Sequence, residues 1–219
     1  MFQTHEELIV HLKELAKTVR VGYADFSRKL NPTASEILGV PVPLLRKLIK
    51  EVSLNILTDN TLEEQILTAI LVGRSGDARI VEEFVPKIHD WAVNDCLASE
   101  CKFLAKDRNR YFDWVIGLNG GGEYDGRIAL ILLNDHFIVA DYLDKVLQAA
   151  EQVSQDYFYT RMAAAWLVST CMVKFPGETY KFLKKSTLPV WTHNKAIRKS
   201  CESFRVSLED KQKLRGLIR

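Results

Sequence analysis

Apolar residues recur every three to four positions along most of the chain, which is the period of an amphipathic α-helix. The stretch "THEELIVHLKELAK" places three leucines on one helix face, behind a capping-box signature formed by Thr4 and Glu7. "TLEEQILTAILVG" repeats this start with Thr61 and Glu64. We find no convincing strand pattern, so the sequence predicts an all-α protein.

The same period predicts ten further helices, and their bounds are approximate. They lie at roughly 41–52, 78–88, 91–105, 107–118, 124–138, 141–153, 156–173, 176–185, 191–203 and 207–217. The connections are short, and no change of composition marks a linker. We therefore expect residues 1–219 to form a single domain.

Paired helices with short turns suit either a compact bundle or an α-solenoid of stacked two-helix units. The segment "DYLDKVLQAAEQVSQDYFYTRMAAAWLVSTCMVKF" resembles one such unit, because a short amphipathic helix precedes a longer one that is apolar nearly all round. A helix of the second kind belongs in a covered middle layer. We predict a HEAT-like repeat α-solenoid, an α-α superhelix with a concave face.

The hydropathy pattern indicates neither a membrane span nor a signal peptide. Polar residues interrupt the longest apolar stretch, "RIALILLNDHFIVADYL", well short of the roughly 20 residues that cross a bilayer. The start "MFQTHEELIVHLKEL" lacks the basic, apolar and small-residue regions of a signal peptide. We expect a mature N-terminus, a cytoplasmic location and no contact with membranes.

The cysteines argue against a metal site and against a disulfide framework. None belongs to a CxxC pair, and none has a histidine at ligand spacing. We therefore expect no cofactor, no metal and buried thiols at Cys96, Cys101, Cys171 and Cys201.

Charge is unevenly distributed along the chain. The segment from Lys174 to the C-terminus holds 12 Lys and Arg against 4 Asp and Glu, whereas the preceding residues hold 18 against 24. The concentration of positive charge predicts a basic surface for a polyanion, although a solvated, lysine-rich helix face would give the same count.

One predicted helix begins with an aromatic residue and a carboxylate four positions apart, Trp91 and Asp95 in "WAVND". This spacing puts both side chains on one helix face. The pair is either a local packing feature or part of a site.

Five segments, in order, resemble the DNA alkylation repair enzymes of the AlkD-like, HEAT-like repeat superfamily. The resemblance spans about residues 36–219. The segments are "EILGVPVPLLRKLIKEV", "WAVNDCLASECKF", "GRIALILLNDHFI", "YTRMAAAWLVSTCMVKFP" and "NKAIRKSCESFRVSLEDKQKLRGLIR".

The resemblance implies an alkylpurine DNA N-glycosylase that grips duplex DNA in a basic concave groove and does not use a deep base pocket. The family's site pattern is a tryptophan, an aspartate four residues later, an arginine on a following helix and a second tryptophan. In this sequence the pattern falls on Trp91, Asp95, Arg127 and Trp166. The implied partner is duplex DNA with alkylated bases, bound by a monomer.

Each of these residues also has a structural interpretation. Asp95 could cap a helix or pair with a nearby cation, and Trp91 could close the turn after Pro86. Trp166 lies in an apolar run and could belong to the core. Arg127 could be a structural partner of an acidic residue, either Glu123 or Asp135.

Several other basic residues are candidates for phosphate contacts, since a lesion enzyme must act in any sequence context. The motif "NKAIRKS" forms a positive stripe, and further candidates precede and follow "WAVND". We predict DNA contacts at Arg46, Lys102, Lys106, Lys195, Arg198 and Lys199.

Two other functions remain compatible with the sequence. "WAVNDCLASECKF" lacks the second tryptophan and the acid that often surround the site in the best-matched glycosylases, and the net charge of +2 is low for a DNA-binding protein. A non-catalytic HEAT-like module that binds DNA structure or a protein is therefore the first alternative. A purely structural, protein-binding solenoid is the second.

Overall fold

A computed structural model describes residues 1–32, 34, 36–120 and 122–219. Within these residues the chain forms α-helices and short 3-10 helices and no strand beyond one isolated bridge between Glu36 and Thr61. The α-helices are α1 His5–Lys17, α2 Tyr23–Leu30, α3 Val42–Leu48, α4 Leu62–Arg74, α5 Ala78–Phe84, α6 Trp91–Glu100, α7 Arg108–Gly117, α8 Glu123–His136, α9 Leu143–Gln152, α10 Phe158–Lys174, α11 Pro176–Lys185, α12 Val190–Glu202 and α13 Leu208–Arg215. The predicted all-α, HEAT-like repeat fold class is confirmed.

The predicted helix starts at Thr4 and Thr61 are confirmed. The hydroxyl of Thr4 accepts a hydrogen bond from the Glu7 amide at 3.2 Å, and that of Thr61 accepts one from the Glu64 amide at 3.2 Å. Such caps satisfy amides that have no partner within the helix.

The predicted helices differ from the observed ones in several places, and those predicted over 41–52 and 78–88 end at Leu48 and Phe84. Helix α2 was not predicted, and the helix predicted over 91–105 ends at Glu100. A separate 3-10 helix then covers Lys102–Lys106. Cys101 interrupts the α-helix because its backbone has φ −71° and ψ 46°, outside the helical region.

The chain folds into two compact units, and the first is Met1–Lys102. Helix α4 lies at its centre and packs against α3, α5 and α6. Gly73 lies at the α4–α6 contact, where an added Cβ would lie 2.7 Å from the carbonyl oxygen of Leu97. A residue without a side chain is therefore needed for α6 to take its position.

A buried carboxylate organises the segment before α3. Glu63 is 2% exposed and accepts hydrogen bonds from three successive backbone amides, those of Leu38, Gly39 and Val40, at 3.0, 2.8 and 3.0 Å. Gly39 has a φ of +97°, which is typical of glycine. These contacts give a structural role to part of the "EILGVPV" motif.

The second unit is Phe103–Arg219. Helix α10 lies at its centre and packs against α8, α9, α11 and α12, while α13 packs against α12. An added Cβ at Gly126 of α8 would lie 2.7 Å from the Thr160 methyl carbon of α10, so these two helices also meet at a glycine.

The four cysteines are free thiols. Cys96, Cys101 and Cys171 are buried, as predicted, whereas Cys201 is half-buried. Burial raises the pKa of the Cys171 thiol to about 12, so the buried thiol is unreactive at neutral pH.

In the described part of the chain, no helix has the length and apolar character needed to cross a membrane.

Candidate active site

Helix α6 starts at a buried aspartate that precedes the site motif. The Asp90 carboxylate accepts a hydrogen bond from the Ala92 amide at 2.7 Å and is the N-cap of the helix. Asp95 lies inside the helix, so the capping role considered for Asp95 belongs to Asp90 instead.

Trp91 is the first residue of α6 and is half-buried. Its indole Nε1 donates a hydrogen bond of 2.8 Å to the carbonyl oxygen of Leu30, the last residue of α2. The hydrogen bond fixes the orientation of the indole and leaves part of the ring exposed.

Asp95 lies one turn after Trp91 on the same face of α6. It is half-buried, whereas its neighbours Asn94 and Cys96 are buried. Burial raises the pKa of the Cys96 thiol to about 11; the Arg46 guanidinium opposes this shift, and the Asp95 carboxylate adds to it. Asp95 thus places negative charge at a partly exposed position on α6.

Arg46, a predicted DNA contact, binds a carboxylate of its own unit. Its guanidinium forms an ion pair with the buried Glu100 and donates to the Ser99 hydroxyl at 2.8 Å. Arg74 binds the other carboxylate oxygen of Glu100 at 2.7 Å. Glu100 therefore joins α3, α4 and α6.

Arg127 lies on α8 in the C-terminal unit and is only 4% exposed. Its Nη1 donates to the backbone carbonyl of Tyr159 at 3.3 Å, and its guanidinium carbon lies 6.0 Å from the centre of the Tyr159 ring. The Glu123 carboxylate accepts a hydrogen bond from the Tyr159 amide at 2.8 Å. Glu123 and Arg127 of α8 thus both bind Tyr159 in the first turn of α10. Arg127 therefore has a structural partner.

Trp166 lies in the middle of α10 and is 39% exposed. The residues on either side of it, Ala165 and Leu167, are fully buried. The apolar run around Trp166 belongs to the core, as its composition indicates, but the tryptophan itself faces outward.

A cluster of aromatic rings and arginines near the start of α10 was not predicted from the sequence. The rings of Tyr124 and Tyr159 stack at 5.7 Å, and the rings of Phe158 and Trp191 meet at 6.1 Å. Arg161 lies over Trp191, 4.3 Å from the ring centre. The sequence feature that could have indicated this cluster is the presence of aromatic residues in the first turns of α10 and α12.

The remaining predicted DNA contacts are at least partly accessible. Lys102, Lys106 and Arg198 are exposed, and Lys195 and Lys199 are half-buried. The C-terminal unit holds 18 Lys and Arg against 13 Asp and Glu, so its net charge is positive. Among the described residues, no group of three or more His, Cys, Asp or Glu side chains is placed to hold a metal ion.

A family model described as "DNA alkylation repair enzyme" matches residues 11–200, a range that includes Trp91, Asp95, Arg127 and Trp166. None of the curated proteins compared with the chain matches it.

Proposed function

We propose, because the chain belongs to the DNA alkylation repair enzyme family, that it is a DNA N-glycosylase acting on purines alkylated at N3 or N7 in duplex DNA. Family membership gives the chain a role in DNA alkylation repair. The reaction and the substrate are the proposed part.

The pair of Trp91 and Asp95 carries the proposal. A carboxylate and an indole lie one turn apart on α6, and both are partly exposed although most of that helix is buried. A carboxylate with a purely structural task, such as Glu63, is fully enclosed by its donors in this protein. Asp95 instead has the accessibility that a substrate contact needs.

The substrate supplies much of the driving force for the reaction. A purine alkylated at N3 or N7 is cationic, so cleavage of the C1′–N bond transfers the bonding electrons to the base and releases it neutral. The leaving group needs no proton, whereas the sugar develops the positive charge of an oxocarbenium ion. Catalysis then requires an anion near C1′ and a water molecule that attacks this carbon.

Asp95 is the proposed anion. Its carboxylate would stabilise the positive charge on the sugar and orient the attacking water, whose oxygen bonds to C1′ while its proton passes to solvent, leaving an abasic site. The carboxylate lowers the barrier to the extent that it stabilises the charge on the sugar in the transition state more than the charge on the base of the bound substrate.

The two tryptophans suit a cationic lesion. An indole face attracts a cation by about 0.5–2 kcal/mol. Trp91 is oriented by its hydrogen bond to Leu30, and Trp166 projects from a buried run of α10. We propose that the Trp91 indole, beside Asp95, contacts the damaged nucleotide and that the Trp166 indole is a DNA contact of the C-terminal unit.

The basic residues would bind the DNA backbone. Phosphate contacts set register without reading sequence, as a lesion enzyme requires. We propose this role for the accessible cations Lys102, Lys106, Lys195, Arg198 and Lys199. In the family pattern the residue at the position of Arg127 also binds a phosphate. To do so here, Arg127 would have to give up its hydrogen bond to the Tyr159 carbonyl.

The burial of Arg127 favours a second candidate, a non-catalytic module that binds DNA structure. An arginine that holds α10 in place has a task without any lesion. In that case the fold and the basic surface would be retained and the base-release chemistry would be absent.

Release of free base from methylated duplex DNA separates the two candidates. The purified chain is incubated with duplex containing 7-methylguanine, and the free base and the abasic sites are quantified. The glycosylase releases both products in equal amounts, whereas the non-catalytic module binds the duplex and releases neither.

A further inference from the structure

At the start of α10 an arginine is stacked on two aromatic rings. The guanidinium carbon of Arg161 lies 4.3 Å from the centre of the Trp191 ring and 5.8 Å from that of Phe158. The two rings contact each other edge to face at 6.1 Å. Stacking on indole restricts the guanidinium to one orientation before any ligand binds.

One donor of this guanidinium lacks an acceptor among the described residues. The Nε of Arg161 is buried and has no hydrogen-bond partner among the described residues. Other arginines of the chain bind carboxylates, as Arg46 and Arg74 bind Glu100. A buried donor without an acceptor is costly, so the presence of an arginine here points to a role of its guanidinium beyond the fold.

An anion with two oxygens fits this group best. The Nε and Nη of a guanidinium form a planar fork that matches a carboxylate or a phosphate in bidentate geometry. The rings of Phe158 and Trp191 are 47% and 37% exposed, so the cluster lies at the surface. Arg161 is half-buried, so part of its side chain is accessible at this surface.

The neighbouring helix extends the cluster into a row of cations. Helices α10 and α12 pack together, and their first turns meet at Phe158 and Trp191, so the two helices run in the same direction. Lys195 and Arg198 follow Trp191 by one and two turns on the same face of α12. That places Arg198 about 10 Å along the helix axis from Trp191, at about 1.5 Å per residue.

This spacing matches a DNA strand. One strand carries a phosphate for about every 3.4 Å of helix axis, so a row of about 10 Å spans about three nucleotides. The unit that carries the row is also the unit with positive net charge. Charge and spacing together favour a nucleic acid backbone over a single small anion.

We propose that Arg161 is a phosphate-binding residue: its guanidinium donates to a backbone phosphate of duplex DNA, and Phe158 and Trp191 hold the side chain at the surface where the phosphate binds. The assignment rests on the proposed function, since it takes duplex DNA as the ligand. It adds a residue that the family pattern does not include. Arg161 differs from Arg127, which is buried and donates to a backbone carbonyl.

Binding of a fluorescent duplex as a function of salt tests the assignment. Dissociation constants of wild type, Arg161→Gln and Arg161→Lys are measured by anisotropy over a range of NaCl concentrations. Lys145→Gln is the matched control, because Lys145 stacks on Phe112 and Tyr142 in the same unit, at 5.4 and 5.8 Å, but lies on α9.

Arg161→Gln is expected to weaken binding at least about tenfold, as the loss of one charge-assisted hydrogen bond predicts. It should also lower the slope of log affinity against log salt by about 0.9. Arg161→Lys keeps the charge and loses the fork, so it should retain the slope and bind more weakly than wild type. Lys145→Gln should bind like wild type.

Duplexes with one neutral methylphosphonate in place of a phosphate locate the contact. At one position the replacement should weaken wild type strongly and Arg161→Lys less, and it should cause no further loss in Arg161→Gln, which no longer contacts that phosphate. If Arg161→Gln does not fold, as judged by circular dichroism, the affinity of Arg161→Lys for the duplex tests the assignment.

The outcomes distinguish this assignment from the proposed glycosylase function. If the Arg161 variants bind duplex DNA with wild-type affinity and wild-type salt slope, and the chain still releases base, only the assignment of Arg161 is overturned. Weakened binding by these variants in a chain that releases no base supports the assignment and removes the glycosylase. A wild-type chain that does not bind duplex DNA overturns both.

Discussion

The indole Nε1 of Trp91 donates a hydrogen bond of 2.8 Å to the carbonyl oxygen of Leu30. This contact joins the first residue of α6 to the last residue of α2. The tryptophan of the proposed site therefore also stabilises the fold, and substitutions at this position must be assessed for both effects.

Replacement of Trp91 by Phe keeps the aromatic ring and removes the donor. We expect a loss of about 0.5–1.5 kcal/mol in the free energy of unfolding, because the Leu30 carbonyl loses its partner. Trp166→Phe is the control, since Trp166 is 39% exposed and should change stability by less than about 0.5 kcal/mol. Urea denaturation measures both, and equal stabilities of the two variants would show that the Leu30 contact contributes nothing.

Gly73→Ala tests the close approach of α4 and α6. The added Cβ would lie 2.7 Å from the Leu97 carbonyl oxygen and 2.8 Å from the Glu100 Cβ, so α6 must shift. We expect destabilisation by about 1–3 kcal/mol, although alanine favours helix more than glycine does. At Gly117, at the end of α7, an added Cβ meets nothing within 4 Å.

Gly117→Ala is therefore the matched control for Gly73→Ala, and we expect it to be neutral or to stabilise by up to about 1 kcal/mol. Urea denaturation of the two variants gives the comparison. Shifts of the same sign and size would mean that the helix contact at Gly73 tolerates a side chain.

The positions of most helices could be predicted from the sequence because apolar periodicity and the caps at Thr4 and Thr61 are local signals. Helix α2 could not, since its 8 residues include none that is buried. The types and order of the residues in the family pattern could also be recognised, and their role in a site stays a prediction. The burial of Arg127 could not, because it depends on the contact of Gly126 with Thr160, which are distant in the sequence.

The acid stability of the N-terminal unit should depend on Glu64. Burial raises the pKa of this carboxyl, but hydrogen bonds from the Thr58 hydroxyl and amide and from Thr61, with the nearby His5, outweigh burial and lower the pKa below 4.5. The folded state thus binds the proton less readily than the unfolded chain. The stabilising contribution of the ionised Glu64 carboxylate is complete above about pH 4.5 and is lost as the pH falls through the pKa of the folded state.

Glu64→Gln should therefore reduce stability at neutral pH and make the decline of stability below about pH 4.5 shallower. Urea midpoints between neutral and acidic pH measure this. Glu14→Gln, on the exposed face of α1, is the control and should keep the wild-type pH dependence. An equally steep acid decline in Glu64→Gln and wild type would contradict the assignment.

Selectivity among lesions should follow the charge of the base. Neither Trp91 nor Trp166 can protonate a purine nitrogen at neutral pH, and an ionised Asp95 cannot either. We therefore expect excision of 7-methylguanine, 3-methyladenine and bulkier cationic N3 or N7 adducts. Uracil, hypoxanthine and ethenoadenine should remain in place even when the duplex is bound.

A panel of duplexes with matched sequence, assayed for base release under single-turnover conditions, measures this selectivity. Efficient release of a neutral base would show that the enzyme supplies a general acid. Such a result would replace the proposed mechanism.

The single-turnover rate of Asp95→Asn tests the central claim most directly. The substitution keeps the shape of the side chain and removes the charge, so we expect folding to be retained and release of 7-methylguanine to fall by about 10²–10³, the usual cost of removing an electrostatic contact to the transition state. Asp113→Asn, at an exposed position on α7, is the control and should react like wild type. An unchanged rate in folded Asp95→Asn would contradict the assignment of Asp95 as the catalytic carboxylate.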